Sequence, residues 1–295
     1  MTRGTPAAEI EINEELVRQL MRSQFSHLAD LPLKLADQGW DNITFRLGSH
    51  LAVRLPRRQM AARLIENEQT FLPGLGPLMP IPTPVPIHLG MPEKIFPWRW
   101  SIVPWLDGET ADVSPPAAAQ AIPFAQFLLA LHHHPGPEIA PRNDFRGIPL
   151  IQKAKVFEER LARLRSRDDF AGLVLSRLWG NATSTPPATT ACWLHGDLHA
   201  RNVVVCNGEI TGVIDWGDLT SGDPATDLAA VWSLFEEPEA RRLCLDHYRA
   251  TPEDISRAKG WASFFAVVLL ETGLIDHPAH AEMGRTILNR LAADE

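Results

Sequence analysis

The stretch 193–215, WLHGDLHARNVVVCNGEITGVID, holds Asp197, then Asn202 after four intervening residues, then Asp215 at the end of a second apolar run. Two short strands are predicted here, joined at Asn207-Gly208, a pair suited to a tight hairpin turn. A carboxylate, a carboxamide and a second carboxylate are thereby set close to one another. Magnesium prefers oxygen ligands, and one or two protein groups suffice beside phosphates and waters. Asn202 and Asp215 offer one neutral and one anionic oxygen. Asp197, on a loop nearby, is placed to accept a hydrogen bond from an attacking hydroxyl. An isolated DxxxxN would be weak; the three residues in this context are specific.

Outward from this stretch, two patterns divide the chain. Residues 14–25 read as an amphipathic helix with Leu16, Val17 and Leu20 on one side, Asn13 as its cap and Glu14 and Glu15 at its positive end. Residues 42–47 and 51–55 read as strands separated by Gly48-Ser49-His50. A helix over 59–72 is expected to stop before Pro73. The proline-crowded segment 73–86 then cannot be helical; it wraps the surface, buries Leu75, Leu78, Ile81 and Val85, and ends in an edge strand. A further strand covers 100–106 and is broken by Asp107-Gly108-Glu109.

Beyond residue 116 the pattern is helical, over 117–134, 150–165, 168–179, 224–235, 238–249, 252–270 and 278–292, with a loop at 181–190. A strand-rich unit followed by a mostly helical one predicts a cleft between them.

A chain of 295 residues suffices for one large domain or two lobes. The formal charge of −8 argues against a nucleic-acid partner, which calls for a basic face. Cys192, Cys206 and Cys244 are odd in number and lack metal-type spacing, so buried free thiols in a reducing compartment are expected. The N-terminal stretch has no apolar signal core, and the most apolar run, 261–270, is shorter than the roughly 20 residues a bilayer needs. A cytoplasmic protein without a membrane or nucleic-acid partner is the expectation.

The segments HGDLHARNVVV, GVIDWGD and GDPATDLA together resemble the catalytic core of the aminoglycoside phosphotransferase family, relatives of choline kinases and distant kin of protein kinases. The resemblance implies an α+β, bilobal, protein-kinase-like fold. A small β-rich N-terminal lobe (residues 1–103) would clamp the nucleotide. A larger, mostly helical C-terminal lobe (residues 104–295) would carry catalysis and bind the acceptor. The implied reaction moves the γ-phosphoryl group of ATP or GTP, with Mg2+, to a hydroxyl of a small molecule, an aminoglycoside or other antibiotic among the candidates. Macrolides, choline, homoserine and other alcohols also fall within the family, so the acceptor stays open.

Carried over residue by residue, the resemblance makes Asp197 the catalytic base and Asn202 and Asp215 the metal ligands. Arg54 stands where the usual lysine would be; its guanidinium can bind phosphate bidentately, but with a different reach. Glu68, in an ExxFL segment, would pair with it. The backbone from Val103 to Trp105 would contact the purine, and Gly39-Trp40-Asp41-Asn42 would cover the phosphates, although it matches GxGxxG poorly.

Other readings compete at single positions. His195 and His199 flank Asp197 as HxDxH, a fragment of some metal hydrolases to which His132, His133 and His134 could be recruited. That reading leaves Asn202 and Asp215 unexplained; the resemblance implies instead that His195 hydrogen-bonds the loop backbone. Arg201 either faces the transferring group or ties down its loop through an aspartate. Asp223 reads as a cap and Asp218 as a candidate for the acceptor side, and the resemblance implies that Asp227 braces the catalytic loop. Trp216 and Trp105 are the tryptophans best placed to touch ligand. Glu236, Glu237 and Glu239 would suit an aminated substrate on the acceptor side or read, more simply, as a solvated helix end. A catalytically silent nucleotide-binding protein and a metabolic small-alcohol kinase are the alternatives for the whole chain, whose oligomeric state the sequence leaves open.

Overall fold

A computed structural model describes residues 7–165 and 172–295. Helix α1 (Glu14–Gln24) starts at Asn13, whose side chain accepts the Leu16 N–H at 3.0 Å. It lays Val17, Leu20 and Met21 against a five-stranded antiparallel sheet. The strands are β1 (Leu33–Gln38), β2 (Asn42–Leu47), β3 (Leu51–Pro56), β4 (His88–Gly90) and β5 (Trp100–Pro104), in the spatial order β1-β2-β3-β5-β4. Between β3 and β4 lies helix α2 (Gln59–Leu75). The core of this part gathers Ile43, Phe45, Val53 and Leu55 of the strands with Phe96, Trp98 and Trp100.

Strand β6 (Glu109–Thr110) leads into the helical part, where α3 (Ala121–His132), α4 (Ala154–Arg165) and α5 (Gly172–Ser184) come first. Then follow β7 (Cys192–Leu194), β8 (Val203–Cys206), β9 (Glu209–Val213) and β10 (Thr220–Gly222). Strand β7 pairs with β10, and β6, β8 and β9 form a second small sheet. Asn207 and Gly208 both take positive φ (51° and 80°) between β8 and β9, as a two-residue hairpin of this kind requires. Helices α6 (Ala225–Leu228), α7 (Val231–Leu234), α8 (Pro238–Tyr248), α9 (Pro252–Asp276) and α10 (Pro278–Ala293) complete the chain.

Several expectations are corrected. Helix α2 runs through Pro73 to Leu75 and continues as a 3-10 turn over Gly76–Leu78. Pro73 lies in the last turn on the exposed side. One lost backbone hydrogen bond is offset there by burial of Leu72 and Leu75 in the larger core. Leu78 is exposed and Met79 takes the buried place. Strand β1 went unpredicted because only Leu33 of its six residues is buried, which leaves no alternation to read.

The predicted helix 168–179 begins outside the described residues, and α5 extends to Ser184, into the expected loop. The helix expected at 224–235 is broken into α6 and α7. The helix expected at 252–270 runs on to Asp276, and its 25 residues are long and apolar enough to cross a membrane; 72% of its apolar window is nevertheless buried inside the fold, as in a core helix. Cys192 and Cys244 are buried, and Cys206 is exposed.

Candidate active site

The loop after β7 is built around a buried carboxylate. Asp227, wholly inaccessible, accepts the backbone N–H groups of His195 at 2.7 Å and Gly196 at 2.9 Å. His195 is equally buried; its Nε2 donates to the Ile214 carbonyl at 3.0 Å and its Nδ1 accepts the Asp197 N–H at 3.3 Å. Both ring nitrogens are thus engaged with backbone, which removes His195 from the metal-hydrolase reading. Gly196 sits at φ +87°, and a Cβ there would run into the Asp218 carbonyl, so only glycine fits the turn that presents Asp197. His132 ends α3 with its Nδ1 2.8 Å from the Tyr248 hydroxyl and its Nε2 3.4 Å from Asp227, a packing role within the same brace.

Asn202 closes a single 3-10 turn, Ala200–Asn202, and its Nδ2 donates to the Asp197 carbonyl at 2.8 Å. The Asn202 carbonyl accepts the Ile214 N–H at 2.9 Å, which brings the next residue, Asp215, beside it. Asp215 itself adopts φ +60°, a conformation few non-glycine residues hold without reason. Arg54 on β3 then joins the halves of the molecule. Its Nη1 donates to both oxygens of Glu68 on α2, at 2.6 and 2.7 Å, and its Nη2 donates to Asp215 Oδ1 at 2.7 Å. Burial works against the Arg54 charge, but Glu68 and Asp215 outweigh it and its pKa moves upward.

Arg54, Asp197, Asn202 and Asp215 line one cleft of about 460 Å³ between the sheet and the helical part, with Glu68 behind Arg54. One end is apolar, walled by Ala52, Val103, Trp105, Leu106, Val204 and Ile214. Val103 and Trp105 are therefore where the purine contact was expected, but the Trp105 N–H donates to the His50 carbonyl at 2.7 Å and is not available for it. The Trp105 ring stays on the wall, with the Arg46 guanidinium 4.8 Å from its centre. Trp216, by contrast, is fully buried and tilted against His195, away from any ligand.

The other end brings His199 and Asp218 together with a residue the sequence did not single out. Arg146, on the loop between α3 and α4, donates from Nη2 to Asp197 Oδ1 at 2.7 Å. His199 Nε2 stands 3.4 Å from the second oxygen, Oδ2. Burial would raise the Asp197 carboxyl, but Arg146 and His199 overcome it and hold it well below the usual carboxylate range. Asp218, hydrogen-bonded by Asn143 at 2.8 Å, is instead raised, by burial first and by Asp197 as well.

Arg201 lines the cleft and also reaches Asp37 of β1 at 3.4 Å and His277 at 3.4 Å, so it ties its loop to an aspartate while facing the cavity. His277 stacks on His280 at 3.7 Å, and His280 meets Trp40 of the β1–β2 turn at 5.4 Å. Asp223 caps the Ala225 N–H at 3.0 Å as expected and also pairs with Arg257 at 2.7 Å. Arg146, His277 and His280 lie on loops or at a helix start, where no periodicity distinguishes a site residue from a solvated one.

A small sheet with one internal helix over a helical body, and a cleft between them that collects Asp197, Asn202, Asp215 and the Arg54–Glu68 pair, define the kinase-like class of phosphotransferases. The chain belongs to the phosphotransferase enzyme family (APH), whose model matches residues 32–261. Viomycin phosphotransferase of Streptomyces vinaceus is 38% identical over 81 residues, 25% of this chain and 28% of that protein. The uncharacterized protein YcbJ of Bacillus subtilis (strain 168) is 39% identical over 56 residues, 19% of this chain and 18% of its own length. The match thus spans less than a third of either curated relative.

Among solved structures, the GDP complex of aminoglycoside 2'-phosphotransferase-IIIa superposes with a TM-score of 0.72 at 18% identity, covering 96% of this chain and all of that one. Macrolide 2'-phosphotransferase MphH from Brachybacterium faecium gives 0.61 at 21% identity, covering 93% and 97%. At these identities the structures establish the fold.

Proposed function

We propose that the protein transfers the γ-phosphoryl group of ATP or GTP to a hydroxyl of a small molecule. In this reading residues 1–103 clamp the nucleotide and residues 104–295 carry the catalytic loop and the acceptor site. The observation that carries it is the convergence of Asp197, Asn202, Asp215 and the Arg54–Glu68 pair on one cleft. The apolar end suits a purine, and the Trp40 turn lies over the polar end, where phosphates would run. The acceptor oxygen forms a bond to the γ-phosphorus, the bond from that phosphorus to the β-phosphate oxygen breaks, and the nucleoside diphosphate leaves. Asp197 orients the hydroxyl and accepts its proton.

The donor set fits Mg2+. Asn202 Nδ2 is engaged with the Asp197 carbonyl, which leaves the amide oxygen as its ligand atom. Asp215 gives one oxygen to Arg54 and keeps the other. Both are hard oxygens. Bound there, the ion would neutralise charge on the β- and γ-phosphates. Arg54 is placed to steady the same phosphates while Glu68 holds it in register. The relatives named for viomycin, aminoglycosides and macrolides make an antibiotic one candidate acceptor, and a cytoplasmic site of action follows from the nucleotide donor.

The test is phosphate transfer from labelled ATP and GTP, with and without Mg2+, across a panel of viomycin, aminoglycosides, macrolides and amino alcohols. Asp197→Asn is expected to lower transfer by about 100-fold or more, the scale of a lost general base. Its nucleotide affinity should stay at the wild-type value. Transfer by Asp197→Asn at the wild-type rate would refute the assignment.

A further inference from the structure

Arg146 is held against Asp197 by more than the ion pair. Asn143 Oδ1 accepts the backbone N–H groups of Phe145 at 2.8 Å and Arg146 at 3.2 Å, folding 143–146 into a tight loop. Asn143 Nδ2 ties that loop to Asp218 Oδ1 at 2.8 Å. One residue on, the Gly147 carbonyl accepts the Asp223 N–H at 3.1 Å. Gly147 has φ +68°, and a Cβ there would come within 2.8 Å of Leu194 Cδ1, so the strap lies flush on the β7–β10 pair. The guanidinium lies 5.2 Å from the ring centre of Phe265 on α9. Strand β10, the 217–223 segment and α9 thus all contribute to where Arg146 points. Its side chain is only 20% exposed and that of Asp197 28%, unlike the mobile ion pairs of a protein surface.

A carboxylate on a loop turns broadly about its terminal torsion, and either oxygen can then meet a hydroxyl. Phosphoryl transfer depends on one fixed approach, and small misplacements are costly. We propose that Arg146 is a positioning residue of the transfer step, clamping Oδ1 of Asp197 so that Oδ2, with His199 Nε2 3.4 Å away, is the oxygen that orients the incoming hydroxyl. This rests on the phosphotransferase reading above. Arg146 does not touch the acceptor in this scheme; it acts through Asp197. A planar guanidinium constrains the carboxylate by direction, whereas a lysine ammonium would supply the charge with a looser aim.

Water can take the acceptor's place, so the test uses hydrolysis of Mg-ATP and Mg-GTP by the full chain, without a named acceptor. Arg146→Gln and Arg146→Ala are expected to lower kcat about 10- to 100-fold, the effect of one charge-assisted hydrogen bond. The nucleotide KM should not move, because the Arg54 side of the cleft is untouched. Arg146→Lys should recover part of the rate. Added guanidinium ion at sub-denaturing concentration should recover part of it in Arg146→Ala and do nothing for the wild type.

A wild-type kcat in Arg146→Gln overturns the proposal. So does a loss in Arg146→Ala that neither lysine nor guanidinium restores, which would mark Arg146 as a brace for the loop alone. Asp197→Asn, run alongside, separates the two readings. If it hydrolyses nucleotide like the wild type, or if the wild type neither hydrolyses nucleotide nor transfers phosphate to any acceptor of the panel above, the phosphotransferase reading fails and takes this proposal with it. If it is inactive while Arg146→Gln is not, only the positioning role fails.

Discussion

At the scale of single residues, Arg54 joins two separate carboxylates with one guanidinium: Nη1 donates to both oxygens of Glu68 and Nη2 donates to Asp215. Arg54→Lys keeps the charge but gathers its three N–H donors on one nitrogen, which cannot span Glu68 and Asp215 with the geometry of the guanidinium fork. The nucleotide KM is expected to rise about 10-fold, while the fold survives with a loss of about 1–2 kcal/mol, the worth of one weakened charge-assisted hydrogen bond. Arg54→Ala leaves the buried Glu68 carboxylate without its cation and should cost about 3–5 kcal/mol. Denaturant titration and nucleotide saturation curves check both; a lysine variant with unaltered KM would show that the bridge to Asp215 is dispensable. Asp197, Asn202 and Asp215 were legible in the sequence because short-range spacing on a strand–turn–strand unit fixes them. Arg146 was not, because it meets Asp197 across 51 residues and two intervening helices, and its own loop carries no periodic signal.

At the scale of elements, the long helix α9 anchors the catalytic loop from behind. Thr251 and Asp254 form a reciprocal capping box at its start, with Thr251 Oγ1 accepting the Asp254 N–H at 3.1 Å and Asp254 Oδ2 accepting the Thr251 N–H at 3.0 Å. Asp254 also accepts from Arg257 at 2.6 Å, and Arg257 holds Asp223 at 2.7 Å, at the head of the turn that carries Asp227. Thr251→Ala should lower stability by about 1 kcal/mol and leave kcat unchanged. Arg257→Met, which strands a buried Asp223 carboxylate, should lower it by about 3–5 kcal/mol. If the two variants unfold at the same denaturant concentration, the Arg257–Asp223 pair does not brace the loop. Helix α9 was visible as an apolar run, but its true end at Asp276 was not, because its last turn is only partly buried. The proline segment misled for a related reason: local chemistry forbids the helix through Pro73, and burial of Leu72 and Leu75 outweighs it.

At the scale of the whole molecule, two cores face each other across the cleft, and α2 contributes to both, with Ala62 in the smaller and Leu72 and Leu75 in the larger. The far side of the cleft is spanned by Arg201 with Asp37 and by His280 with Trp40. His280 is the titratable member of that contact. Burial, and then His277, Arg201 and His199, press its pKa down to about 3, with Asp197 acting weakly the other way. In the unfolded chain the same imidazole takes its proton near pH ~6.5. Between those values this histidine binds more protons in the unfolded state than in the folded one, so its contribution to stability must fall as pH drops from about 6.5 toward 3. Asp197 works in the same direction only at lower pH, because its carboxyl is held down in the fold and titrates near ~3.9 when unfolded. Asp41, Glu68 and Asp218, whose carboxyls are raised by burial in the fold, act in the opposite direction as pH falls, so the His280 contribution between about pH 6.5 and 4.5 is read as the difference between the wild type and a His280 variant. Across that window the thermal midpoint of the wild type should decline relative to that of His280→Phe, which keeps a ring against His277 and Trp40. Parallel curves for the two proteins would mean that His280 already carries its proton in the folded state and that the spanning contact is insensitive to pH.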